Sequence, residues 1–326
     1  MRSRIVGLRL VLGLMLASCD LFSGALGSSG DEQPFYRNCI NNCSRRSCFG
    51  DALSKFVARQ PLYMRLSGWN CVEECRYGCM WRTVDLLQEA GYDIPQFHGK
   101  WPFVRWLCVQ EPLSAIFSAL NGFSYLFMAR RYCASVPSTA PTYTTVVKFS
   151  AVAVLAWCFS FAYHCKDTPL TEKMDYFGAT SLLLYSVYFC CVRTLGLQNP
   201  WVAKYFGYLL LIAFGLHILY MSYVCFDYGY NMLLSIAIGM LNLVWWSGWC
   251  VVTLGTRPYV WRCLLTMFCL HGAFLLELFD FPPLLWALDA HALWHLSTAP
   301  IPLLFYGFLI EDSRSLLREE ELHKFL

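Results

Sequence analysis

The sequence predicts an all-α membrane protein, a seven-transmembrane helix bundle with an N-terminal signal peptide and a disulfide-rich luminal segment. Three observations lead there. Hydrophobic residues make up 57% of the 326-residue chain and charged residues only 14%, too little polar surface for a soluble globule of this size. Apolar runs of membrane-spanning length follow one another seven times after Glu111. The one sizeable polar stretch, which precedes them, holds six cysteines. The net charge of +3 is spread over loops without a cluster, which offers no footprint for nucleic acid.

Residues 1–27 read as a cleaved signal peptide. A basic start, Met1-Arg-Ser-Arg4, leads into the apolar run Ile5 to Ala17 and then the small residues Ser23, Gly24, Ala25 and Gly27. A retained signal anchor is the rival, but the run is short for a spanning helix. Residues 28–105 form the cysteine-rich luminal region. Cys71, Cys75 and Cys79 recur every four residues, as do Cys39 and Cys43, so each set lines one face of a helix. With Cys48 they make an even number in an exported segment, which predicts a disulfide-stapled helical hairpin of open connectivity. A zinc site is the alternative, disfavoured by an oxidising compartment and by the lack of a C-x2-C knuckle. Asn42-Cys43-Ser44 is a glycosylation sequon that a disulfide at Cys43 would hinder.

Residues 106–310 hold the spans. They run from Pro112 to Ala129, Phe149 to Cys165, Tyr176 to Val192, Tyr205 to Phe226, within Tyr228 to Thr256, Pro258 to Leu276, and Pro283 to Ile310. Residues 311–326 are a polar tail with a short helix. Alternate connections and the tail carry Arg130, Arg131, Lys148, Arg193, Lys204, Arg257, Arg262, Arg314, Arg318 and Lys324, against Lys166 and Lys173 in the others. That asymmetry places the first set in the cytosol, the N-terminus in the lumen and the C-terminus in the cytosol.

With this orientation, ionisable side chains gather at the luminal ends of the helices. Span two ends in Ser160-x3-His164, span three opens with Asp175 in its first turn, and span seven opens with Asp289, His291 and His295. His291 and His295 lie one turn apart on one helix face and can address one metal ion. His164, His291 and His295 are therefore the candidate ligands of a catalytic Zn2+, three imidazoles with one position left for a water whose pKa the metal lowers to about 7. Asp175 suits a base or water-orienting group, and Ser160 a donor to a developing oxyanion. Each has a plainer reading. Ser160 can bond back to the carbonyl of residue 156, and Asp175 and Asp289 can cap their helices. His217 and His271 lie deeper and read as packing or interhelical hydrogen bonds, and Trp245, Trp246 and Trp249 as packing and interface anchors. No role is assigned to His98.

Ser160-x3-His164 with Asp175 shortly after it and His291-x3-His295 in the last span resembles the CREST superfamily of seven-helix membrane hydrolases. Cys71-Val-Glu-Glu-Cys75-Arg-Tyr-Gly-Cys79-Met-Trp81 and Gln96-Phe-His-Gly-Lys-Trp-Pro-Phe103 are similar to its Per1-like branch, over essentially the whole chain from Asp31. That resemblance implies a Golgi enzyme of GPI-anchor fatty-acid remodelling, with zinc at the three histidines. Its substrates would be GPI-anchored proteins, from which it removes the unsaturated sn-2 acyl chain by a phospholipase A2-type step. The cysteine-rich region would then help select the glycan core or the protein-bearing anchor. The ceramidase branch ties acidic residues in and before its first helix to calcium, and Glu111 is the nearest counterpart here. A ceramidase-like amidohydrolase, or a non-catalytic receptor or adaptor with a structural metal, are the alternative functions.

Overall fold

The computed structural model describes residues 28–325, so the signal-peptide reading of residues 1–27 lies outside the described residues. Among the described residues, four helices precede the bundle: α1 (Pro34–Ser47), α2 (Gly50–Arg59), α3 (Leu62–Leu66) and α4 (Cys71–Glu89). Asn70 starts α4 with a capping box, its side chain accepting from the Glu73 amide while Glu73 accepts from the Asn70 amide. The predicted hairpin is present. Cys39 pairs with Cys79 and Cys43 with Cys75, so α1 and α4 run antiparallel and are stapled twice on facing sides, and Cys48–Cys71 closes the base. The thiols weighed for zinc are thereby consumed. Asn42 is exposed on α1, and its sequon neighbour Cys43 is in a disulfide.

Among the described residues, seven helices are long and apolar enough to cross a membrane. They comprise α5 (Pro112–Ser135), α6 (Tyr143–Cys165), α7 (Pro169–Cys191), α8 (Pro200–Leu219), α9 (Tyr228–Thr253), α10 (Trp261–Leu278) and the pair α11 (Ala290–Thr298) and α12 (Ile301–Phe325). Proline opens α5, α7 and α8, where a missing amide hydrogen removes nothing from the helix ladder. Several spans exceed the apolar runs read from the sequence. α5 continues through Arg130 and Arg131, and α7 starts at Pro169 behind a Thr168–Thr171 capping box. Asp175 therefore stands in the second turn of α7 rather than the first, and Thr168 is the cap.

The last span departs most. Its expected start, from Pro283, is a non-helical loop in which Leu285 and Trp286 have positive φ and Leu284 pairs with Leu288. Asp289 then caps α11, accepting from the Ala292 amide at 2.8 Å, as its plainer reading anticipated. Pro300 cannot donate to the preceding turn, and the helix breaks there before resuming as α12. The tail is no separate helix: α12 runs on through it, burying Asp312 and Ser313.

Away from the hairpin, Tyr132, Phe149, Phe189, Trp246, Phe305, Tyr306 and Phe308 form the core of the bundle. Beside it Asp312 takes both Arg193 Nε (2.5 Å) and Nη2 (2.7 Å) and the Tyr259 hydroxyl (3.0 Å), while Ser313 lies 2.8 Å from the hydroxyls of Tyr132 and Thr142. Gly178 brings α7 against α6: a Cβ there would lie 3.2 Å from the Ala156 Cα. At the opposite end the hairpin docks on the bundle. Trp69 Nε1 donates to the Cys108 carbonyl, Lys166 pairs with Glu73, and Trp101 and Gln96 both donate to Asp280.

Candidate metal centre

His164 comes from the last turn of α6, His291 and His295 from adjacent turns of α11, and α5 packs against both helices. The three rings meet. Their Nε2 atoms are 3.4 Å apart between His164 and His291 and 2.9 Å apart between His291 and His295. His164 and His295 are buried to 1% exposure, whereas the His291 side chain keeps 33% of its surface open and marks the accessible side.

Each ring is held from behind by its other nitrogen. Nδ1 of His164 is 2.8 Å from Glu111 Oε2, and Nδ1 of His291 is 2.8 Å from Glu277 Oε2. A carboxylate only accepts, so both Nδ1 atoms carry the hydrogen. For His295 the partner is Ser118, at 3.2 Å, whose hydroxyl donates to the Ser114 carbonyl and so has only its oxygen left to accept. Asn121 donates to the His295 carbonyl at 2.7 Å and fixes that turn of α11. All three Nε2 atoms are then lone-pair donors pointing at one another, an arrangement that repels itself unless a cation lies between them. Zinc bound tetrahedrally at about 2.0–2.1 Å separates its nitrogen ligands by about 3.3 Å, close to the 3.4 Å His164–His291 spacing and somewhat wider than the 2.9 Å between His291 and His295. The donor set fits zinc, and the Nδ1 partners supply the orientation that metal-binding imidazoles require.

Glu111 belongs to a second layer that ties the centre to the loops. Its amide donates to the His164 carbonyl at 3.0 Å, and its carboxylate takes Lys100 as well as His164. Lys100 also reaches Asp167 at 3.2 Å and lies 3.9 Å over the Tyr163 ring. Burial alone would raise the Glu111 carboxyl, yet Lys100 and His164 hold it well below the usual carboxylate range. Burial likewise opposes the charge on Lys100, and Glu111 and Asp167 overcome it, raising its affinity for the proton. A lysine ammonium therefore satisfies Glu111 in this chain.

The two remaining candidates are at hand. Ser160 is buried, 3.2 Å from Ser118 Oγ, and Asp175, partly exposed on α7, lies near Ser160, His164 and His291. Ser160 thus joins the site network instead of being confined to its own helix. His217 and His271 stand apart, His217 3.5 Å from the Tyr230 hydroxyl and His271 bridging to the Gly239 carbonyl of α9 at 3.0 Å. His98 turns outward to Tyr36 and Asp31. Sequence reasoning passed over Glu277, Ser118 and Lys100. Glu277 carried a signal, an acid at the end of an apolar span. A serine inside a helix carries none.

The model of the Per1-like family matches residues 61–313. A zebrafish (Danio rerio) protein named GPI-specific phospholipase A2-like PGAP3 is 52% identical over 94% of this chain and 98% of its own length. The human (Homo sapiens) protein of that name is 49% identical over 97% of this chain and 98% of its own. A Drosophila melanogaster protein named post-GPI attachment to proteins factor 3 is 40% identical over 91% of each chain. No solved structure matches. With a family match across the three histidines and both partner carboxylates, and relatives aligned nearly end to end, the chain belongs to the Per1-like family.

Proposed function

We propose that this protein is a GPI-specific phospholipase A2-type hydrolase of the Golgi membrane, which removes the unsaturated sn-2 acyl chain from GPI-anchored proteins with zinc as its metal. The observation that carries the reading is the convergence of three Nε2 atoms, each with its Nδ1 engaged, beside a partly open carboxylate. The names of the relatives supply the substrate class, and the asymmetry of Lys and Arg between loops supports a luminal centre.

Zinc at this centre would supply Lewis-acid polarisation and a water of lowered pKa. The chain's own groups do the rest. Asp175 takes the proton of the water that attacks the sn-2 carbonyl carbon, while the Ser160 hydroxyl donates to the carbonyl oxygen as it gains charge. When the C–O bond to glycerol breaks, Asp175 returns the proton to the leaving glycerol oxygen. A lyso-lipid anchor and a free fatty acid result. Helix ends at the membrane surface suit an ester that lies just below the headgroups, with the glycan and attached protein outside.

The test is mass spectrometry of GPI anchors from cells lacking the protein and re-expressing it. Wild type should remove the unsaturated chain. Asp175→Asn should leave it in place with normal expression and zinc content, and Ser160→Ala should slow its removal by about 10²-fold. Full remodelling by a folded His164→Ala protein would refute the metal-hydrolase reading. Cleavage of an amide-linked lipid in place of the ester would show a ceramidase-like activity.

A further inference from the structure

Outside the histidine centre, the cysteine-rich region holds a cleft of about 390 Å³ lined by Phe56, Arg59, Tyr63, Glu74, Tyr77 and Arg105. Its chemistry is mixed in a particular way. Aromatic rings offer flat apolar faces, and a carboxylate and two guanidiniums offer paired, planar hydrogen-bonding edges. Sugars present the complementary surfaces, C–H faces for the rings and vicinal hydroxyls for the planar groups. Two arginines against one glutamate leave the lining with a net positive charge, which favours an added phosphate.

Arg105 is the distinctive member. Its side chain is only 5% exposed, lies 3.6 Å over the Tyr77 ring and 4.2 Å over the Trp69 ring, and gives Nη1 to Glu74 at 2.7 Å. Its amide donates to the Tyr77 hydroxyl at 3.1 Å, so the residue is held at both ends. Nη2 has no hydrogen-bond partner. A buried guanidinium nitrogen without an acceptor is costly, and a rigidly placed one is a donor kept for an acceptor that arrives from outside. Arg59, at the end of α2, is exposed and forms no ion pair among the described residues.

Position adds the last element. Trp106 and Leu107, directly after Arg105, are 62% and 59% exposed, an apolar step between the cleft and the start of α5. The same short stretch ends at Glu111, which holds His164. We propose that this cleft binds the phosphorylated glycan head of the membrane lipid whose ester the histidine centre cleaves; the inference rests on the function proposed above. The ligand class is a sugar phosphate carried on a lipid, with Arg59 and Arg105 on the phosphate and hydroxyls, and Tyr63 and Tyr77 against the sugar rings.

The test uses the full chain in nanodiscs with the variant Arg59→Ala/Tyr63→Ala, which alters exposed side chains away from the zinc ligands, Asp175 and Ser160. One arm measures direct binding of a water-soluble mannosyl-glucosaminyl-inositol phosphate, beside the same glycan without phosphate and beside inorganic phosphate. Wild type should bind the phosphorylated glycan best, and the variant at least about tenfold more weakly, as loss of an aromatic contact and a charge-assisted bond implies. The second arm measures turnover of a GPI lipid, where KM should rise by a similar factor with kcat and zinc content within twofold of wild type. Equal affinity of variant and wild type for the phosphorylated glycan would overturn the inference, as would preference for inorganic phosphate alone. Binding that follows the cleft in a protein that cleaves no ester would uphold the cleft and defeat the hydrolase reading instead.

Discussion

Glu277 offers a direct measure of how far the histidine centre depends on what holds it. Its carboxylate is 2.8 Å from His291 Nδ1 and its side chain only 19% exposed, so solvent screens the contact little. A hydrogen bond to a charged group contributes about 1.5–3 kcal/mol and a neutral one about 0.5–1.5 kcal/mol. Glu277→Gln keeps an accepting oxygen and loses the charge, which puts its cost near 1 kcal/mol, about a fivefold to tenfold weaker hold on zinc. Glu277→Ala also frees the ring to turn and to exchange tautomers, and should approach a 100-fold loss. Competition of the purified protein with a zinc-sensitive chelator reads both values at neutral pH. The graded order wild type, Gln, Ala is the expected result, with His291→Ala weaker than all three. If Glu277→Ala held zinc within twofold of wild type while His291→Ala lost it, the orienting role of the carboxylate would be refuted.

Two further outcomes follow from packing and buried charge. Arg193→Met leaves Asp312 buried at 3% exposure with Tyr259 as its remaining donor, and should destabilise the protein by about 3–5 kcal/mol in thermal unfolding; Arg193→Met/Asp312→Leu, which removes both charges, should recover most of that. Gly178→Val would set side-chain atoms within about 3.2 Å of Ala156 and Phe159, push α7 off α6 and carry Asp175 with it. Displacement on the order of 1 Å costs turnover about 10²-fold, so hydrolysis should fall while zinc content, read by elemental analysis, stays near wild type.

The three histidines and the hairpin were legible because period carries them: spacing of four residues puts side chains on one helix face whatever the surrounding fold. Orientation by Lys and Arg then showed that the groups share one end of the bundle. Boundaries were harder. Hydropathy ends a span at its first charges, yet α5 keeps Arg130 and Arg131 in helix, and α12 carries Asp312 inward on Arg193. Charge reports depth only when no partner waits inside. Lys100 and Ser118 were illegible for another reason. Their roles depend on contacts with Glu111 and His295, 11 and 177 residues away, and no local pattern encodes those distances.

The same separation governs when the centre can exist. His164 and His291 are 127 residues apart, with four whole spans between the helices that carry them. At a synthesis rate of about 5–20 residues per second, roughly 6–25 s pass between the emergence of the first imidazole and the second. Throughout that interval the growing chain displays only one of the three imidazoles of the centre, and the two histidines that emerge meanwhile, His217 and His271, stand apart from it. The three-imidazole set is therefore complete only after the final span has been inserted, and a ribosome-bound intermediate that lacks this span carries one third of it.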